Sequence, residues 1–176
     1  ASEPNAPALN FATPTEFVDL PSKGAYYLEG HPLHGQDTIE IKFMTARDED
    51  ILTSPTLLKK GLAIDKFLQN IIVNRAINID TLLSGDKNAI LIASRINGFG
   101  ADYETKLACP GCQTTVQNSF DLSEVTMYAG DDLGDYNVRA TGAGTFIVSL
   151  PKTKMDVEVR LLTSKDENEL ASSMQQ

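Results

Sequence analysis

Fourteen residues of this chain are written twice: Val157 to Leu170, VEVRLLTSKDENEL, aligns without a gap on Ile39 to Leu52, IEIKFMTARDEDIL. Five positions are identical, where average composition gives roughly one coincidence. Each copy reads as a strand followed by a capped helix. Ile39, Ile41 and Phe43 alternate with Glu40 and Lys42, and Val157, Val159 and Leu161 alternate with Glu158 and Arg160, so each strand has one apolar face. Thr45 and Thr163 stand as N-caps, and Asp48 and Asp166 can reach back as short-armed capping boxes. Glu49 and Glu167 then fall where the helix dipole favours negative charge. If this is an internally repeated strand-helix unit, the two strands should be neighbours in one sheet with their helices on the same side.

A length of 176 residues, 41% of them hydrophobic, suffices for one core, so we expect an extended arm over 1–19 and a single domain over 20–176. The fold class expected is α+β, a mainly antiparallel sheet with helices packed to one side. A net charge of −9 without a Lys/Arg stripe excludes a duplex nucleic-acid binder, which must displace phosphate counterions. The longest apolar run, Ala89 to Ala93, is far too short for a bilayer, and the sequence starts without a signal-peptide pattern. The expectation is a soluble protein made in the cytoplasm, with no membrane and no small-molecule substrate.

The segment Ala1 to Glu16, rich in Pro, Ala and Asn, carries only Leu9 and Phe11 as larger apolar anchors and suits an arm that orders on a neighbour. Phe17 to His34 is broken by Pro and Gly and reads as a loop anchored by Tyr26 and Tyr27. Ser54-Pro55 opens a short helix that Gly61 can end. Ile64, Phe67, Leu68, Ile71 and Ile72 then mark one face of a core helix. Ser84 or Asp86 caps the next helix, expected to run to about Ile96, stop at Gly98 and Gly100, and form the centre of the fold. Asp102 to Leu107 and Thr114 to Phe120 alternate as the arms of a hairpin with CPGC at its tip.

Only two histidines, His31 and His34, and two cysteines, Cys109 and Cys112, are present, each pair spaced three apart. HxxH and CxxC each offer two ligands to one ion, and together they would close a tetrahedral structural zinc site. The plainer alternative is a tight turn with free thiols and a loop with exposed imidazoles. A redox CxxC is the enzyme-class alternative, but such thiols sit at a helix N-terminus and these follow a strand. Both imidazoles lie in one Pro-flanked loop, no GxSxG elbow or GK[ST] loop exists, and no catalytic or cofactor-binding residue is assigned. The acidic groups Asp48–Asp50 and Asp131, Asp132, Asp135 are explained by capping and a solvated surface.

Several blocks in order, LPSKG (Leu20 to Gly24), GHPL (Gly30 to Leu33), MTARDEDILTS (Met44 to Ser54), the stretch Leu57 to Asp65, and GDKNAILIASRINGFGADYE (Gly85 to Glu104), resemble the baseplate hub protein family of T-even-type contractile-tailed phages. The resemblance is strong over Leu20 to Glu104 and looser beyond. It implies a structural or viral tail assembly protein of the virion's tail baseplate, without enzyme activity, whose partners are other baseplate and tail proteins. The competing class is a small zinc-binding or CxxC thiol protein with an independent role.

Overall fold

In a computed structural model the described residues are 13–126 and 137–174. Strand β1, Thr15–Asp19, pairs antiparallel with β2, Thr38–Lys42, from Thr15↔Lys42 to Asp19↔Thr38. These residues were assigned to the arm on composition; they form a strand because Val18 enters the core and the β2 edge supplies a backbone ladder. The Phe43 N–H donates to the Pro14 carbonyl at 2.9 Å and prolongs that ladder. Residues 1–12, including Leu9 and Phe11, lie outside the described residues, as does the acidic cluster Asp131, Asp132 and Asp135.

The core lies between this strand pair and the helices. After α1 (Ala46–Thr53) and α2 (Pro55–Lys59), helix α3 (Ala63–Ile71) buries Ala63, Phe67, Leu68 and Ile71 against Ile39 and Ile41. Ile64 was expected on that face and is instead exposed, because Ala63 takes the inward position. At its exit Ile72 bridges to Ile41, and the Val73 N–H donates to the Glu40 carbonyl at 3.1 Å, so β2 is flanked on both sides. Beyond a 3-10 turn, Ile79–Thr81, helix α4 (Ser84–Phe99) crosses the core through Ile90. It runs three residues further than expected and ends at Gly100, whose φ of 84° an L side chain rarely adopts. Arg95 holds that stop by donating to the Gly100 and Asp102 carbonyls at 2.7 and 3.2 Å.

Strands β3 (Asp102–Ala108) and β4 (Thr115–Asp121) form the expected hairpin, in register from Asp102↔Asp121 to Ala108↔Thr115. A third antiparallel sheet has the order β5 (Val138–Ala140), β6 (Thr145–Ser149), β7 (Asp156–Arg160). Its Phe146 packs on Tyr26 with centroids 5.3 Å apart and seats the sheet on the 20–37 loop. Helix α5, Ser164–Ser173, follows.

The fold is α+β with small antiparallel sheets in place of one. The two repeated strands are not neighbours: β2 pairs with β1 and β7 with β6. The expectation of adjacent copies in one sheet fails because the turn at Pro151–Thr153 delivers β7 directly beside β6, and a sequence-adjacent partner is the cheaper one to close on. Locally the likeness persists. Both copies form capping boxes, Thr45 with Asp48 and Thr163 with Asp166. Their apolar faces diverge, since Ile39 and Ile41 are buried whereas Val157 and Val159 stay about two-fifths exposed.

Candidate assembly surface

The N-terminus of α4 is the knot that holds the 20–37 loop and α5 together. Asp86 is fully buried, and its carboxylate accepts hydrogen bonds from the Ser22 N–H at 3.0 Å, the Ser22 hydroxyl at 2.6 Å and the Tyr27 hydroxyl at 2.7 Å. Tyr27 accepts in turn from the Leu83 N–H at 3.2 Å. Burial, with the carboxylate beside it, pushes the Tyr27 phenol far above its ordinary range. The loop is drawn tight enough that a Cβ on Gly24, at φ 68°, would lie 2.4 Å from the Leu33 carbonyl oxygen and the Gln36 nitrogen. One residue along the helix, Lys87 turns the other way. Its ammonium donates to the Ser164 hydroxyl at 3.0 Å and the Glu167 carboxylate at 2.9 Å. Backbone bonds from Ser84 to Leu162 at 2.9 Å and from Ser164 to Leu82 at 2.8 Å complete the attachment of α5.

His31 and His34 belong to this same loop. His31 stacks on Tyr27 with centroids 4.4 Å apart, its Nδ1 accepts from the Leu33 N–H at 3.1 Å, and its Nε2 lies 2.9 Å from the Thr81 hydroxyl. With Nδ1 accepting, the neutral ring carries its proton on Nε2 and donates it to Thr81, whose own hydroxyl proton goes to the Asn78 carbonyl at 2.7 Å. The imidazole therefore has no lone pair aimed at Thr81 and does not activate it. Burial lowers the His31 pKa and favours this neutral form. His34 donates from Nδ1 to the Tyr27 carbonyl at 2.6 Å.

Cys109 and Cys112 occupy the far end of the β3–β4 hairpin as free thiols. The Cys109 N–H donates to the Thr114 carbonyl at 2.9 Å, the Gln113 N–H to the Cys109 carbonyl at 2.8 Å, and the Cys112 thiol to the Thr114 hydroxyl at 3.3 Å. Hydrogen bonds from the Thr114 side chain and backbone, then from Cys109, pull the Cys112 thiol below its ordinary pKa. The turn follows a strand, as expected, so no helix dipole adds to this. The thiol pair and the imidazole pair are not brought together: among the described residues no group of three or more His, Cys, Asp or Glu is arranged to hold a metal ion.

What remains open is apolar surface. On one face of the hairpin Tyr103 pairs with Phe120 and Leu107 with Val116, all about half exposed. The β5–β7 sheet leaves Val157 and Val159 uncovered, with Leu161 and Leu162 beyond them. Between this sheet and the 20–37 loop runs an open cleft of about 610 Å³ bordered by Tyr27, Leu28, His31, Thr81, Arg160 and Leu161. Arg160 at its edge is already matched by Asp166 through bonds of 2.6 and 2.7 Å. Among the described residues, no buried side-chain polar atom lacks a partner and no helix is long and apolar enough to cross a membrane.

Comparison with known proteins supplies the family. A family model described as T4 bacteriophage base plate protein matches residues 14–156. The chain belongs to that family. No curated protein and no solved structure matches it. Family membership makes this a phage base plate protein with a structural role, associated with other tail proteins. The match begins at the strand that composition had assigned to the arm and runs through both hairpin arms into the third sheet.

Within this base plate protein the blocks LPSKG and GDKNAIL, far apart in sequence, meet through Ser22 and Asp86. In sequence Ser84 and Asp86 are alternative caps, and nothing marks Lys87 as buried. An acid and a lysine side by side at a helix start look solvated, and only the burial of both separates them from ordinary surface charge. Tyr27, expected as an aromatic anchor of the loop, also makes two hydrogen bonds through its hydroxyl.

Proposed function

We propose that this chain acts at the hub region of the base plate, joining neighbouring base plate proteins through its surfaces without catalysing a reaction. The match to the base plate family over residues 14–156 carries the reading. The uncovered apolar strips on the β3–β4 hairpin and the β5–β7 sheet support it. Isolated two-stranded ribbons are marginal in water, and exposed apolar patches mark contact sites. The groups with catalytic potential, His31 and the two thiols, lie in separate elements, and His31 is spent on holding its loop.

The test is genetic and microscopic. Phage lacking this chain are grown with and without a plasmid copy, and tails are imaged by electron microscopy. We expect no complete base plates without the chain, and rescue by the intact copy but not by one carrying Leu107→Asp and Val159→Asp. Normal base plates in its absence would overturn the assignment. Mass spectrometry of purified virions separates a resident subunit from an assembly factor, which leaves before the particle is complete.

A further inference from the structure

Cys109 and Cys112 offer two thiol ligands side by side, and among the described residues no third ligand stands with them. Zinc in a structural site takes a tetrahedral set of nitrogen and sulfur ligands. The two histidines are the only imidazoles, and no described group of three or more ligand residues includes the thiols. His31 has both ring nitrogens engaged, and His34 has its Nδ1 engaged, in the loop around Tyr27. Among the described residues, then, nothing is placed to complete the set, and a second molecule can supply the remaining ligands. Cys109 and Cys112 project from the tip of a hairpin, flanked by the tight bonds of Cys109 to Thr114 and Gln113 to Cys109, so both thiols are held on one four-residue turn.

A second observation on the same hairpin points to what the other molecule is. One face carries two exposed apolar pairs, Leu107 with Val116 next to the tip and Tyr103 with Phe120 further down, separated by Thr105 and Asn118. Two such hairpins related by a two-fold axis can cover each other's strip, and the same symmetry brings two thiol pairs to one point. From this geometry we infer that two copies of the chain pair hairpin to hairpin around a shared zinc ion held by Cys109 and Cys112 of each. Binding releases the thiol protons, so the metal joins four thiolates and the site is closed to water. The inference rests on the proposed role in naming a second copy as the neighbour on the hairpin strip, and its test reads metal and mass and no tail assembly, so the two can fail separately.

The full chain is purified without chelator, and its metal content and mass are measured by native mass spectrometry and light scattering; cobalt is then titrated into metal-free protein. We expect one zinc for two chains, found only in the dimer, and a tetrahedral cobalt–thiolate spectrum saturating at one cobalt for two chains. Cys109→Ser with Cys112→Ser should abolish both metal and dimer while leaving the circular dichroism of the fold unchanged. His34→Ala should leave the stoichiometry as it was, and Leu107→Asp should weaken the dimer by at least tenfold with the metal ligands intact. Protein that retains no zinc, zinc held one to one by a monomer, or a dimer that survives loss of both cysteines would each overturn the inference. Metal loss in His34→Ala would assign the ion to the in-chain HxxH and CxxC set instead.

Discussion

Replacing Asp86 by Ala should be among the most damaging single changes available in this protein. The carboxylate accepts three hydrogen bonds at 2.6–3.0 Å inside the core, where no water can replace it. The Ser22 N–H is fixed by its backbone and would be left without an acceptor, at a cost of about 1–3 kcal/mol. The two hydroxyls can turn, but Ser22 also accepts from the Gly24 N–H at 3.1 Å and Tyr27 from Leu83, which limits where they can go. Adding the space left by the lost carboxyl, the total comes to about 3–5 kcal/mol, or roughly 10 °C in Tm for a chain of this size. Asp86→Asn keeps the volume, and with its amide oxygen on the Ser22 N–H its NH2 group faces the Ser22 and Tyr27 hydroxyls, which must turn from donating to accepting, so about 1–2 kcal/mol should persist. Tyr27→Phe should lose about 1–2 kcal/mol, and because it shares an acceptor with Ser22→Ala the double variant should depart from additivity. Equilibrium urea unfolding measures all five variants, the double one included. A loss below about 1 kcal/mol for Asp86→Ala would show that the loop 20–27 is held by packing alone.

Three further outcomes follow from the same knot. Lys87→Met should detach α5, seen as faster amide hydrogen exchange over Ser164–Ser173 with α4 still protected, at a global cost of about 1–2 kcal/mol because Glu167 is one-third exposed. Gly24→Ala forces a Cβ within 2.4 Å of two backbone atoms and should cost more than about 2 kcal/mol, read as loss of soluble protein or a lowered urea midpoint. His31 is held neutral by burial, so the unfolded chain binds a proton more readily; stability should fall as pH drops below the ordinary value of 6.5, and His31→Gln should flatten that part of the pH profile. Asp48 and Glu167 have lowered pKa values although burial opposes this, the first through Thr45 and Asn70 and the second through Lys87, so a second decline belongs below their ordinary 3.8 and 4.5 and should survive the His31 change.

Features decided within a few residues were legible before any coordinates. Thr45 with Asp48, Thr163 with Asp166, Pro55 at a helix start and CPGC at a hairpin tip each satisfy their backbone locally. The antiparallel α+β class followed from the alternation in these segments. Features that depend on a distant partner were not legible. Thr15–Asp19 is a strand only because Thr38–Lys42 arrives beside it, and its own composition reads as an arm. Asp86 and Lys87 are core residues only because a loop more than fifty positions earlier and a helix more than seventy positions later close over them. For the metal site, the sequence offered two ligand pairs and no measure of their separation, and the fold places them in different elements.

The repeated segment explains why this fold leaves so much apolar surface open. In the first copy, β2 receives β1 on one edge, the Ile72–Val73 backbone on the other, and α3 across its apolar face, so nothing of Ile39 or Ile41 is left to cover. In the second copy the same alternation is met by β6 alone, and Val157 and Val159 remain exposed with Leu161 and Leu162 beyond them. Yet α5 is fastened firmly, through Lys87, Ser164 and the Leu83↔Thr163 bridge, so the exposure is not a loosely attached end. A net charge of −9 adds long-range repulsion between acidic surfaces, while fixed apolar strips provide short-range adhesion once a fitting partner, a second copy included, arrives. That pairing of repulsion with uncovered strands makes contact selective for a surface that fits, and it follows from where the second copy's strand finds its neighbour.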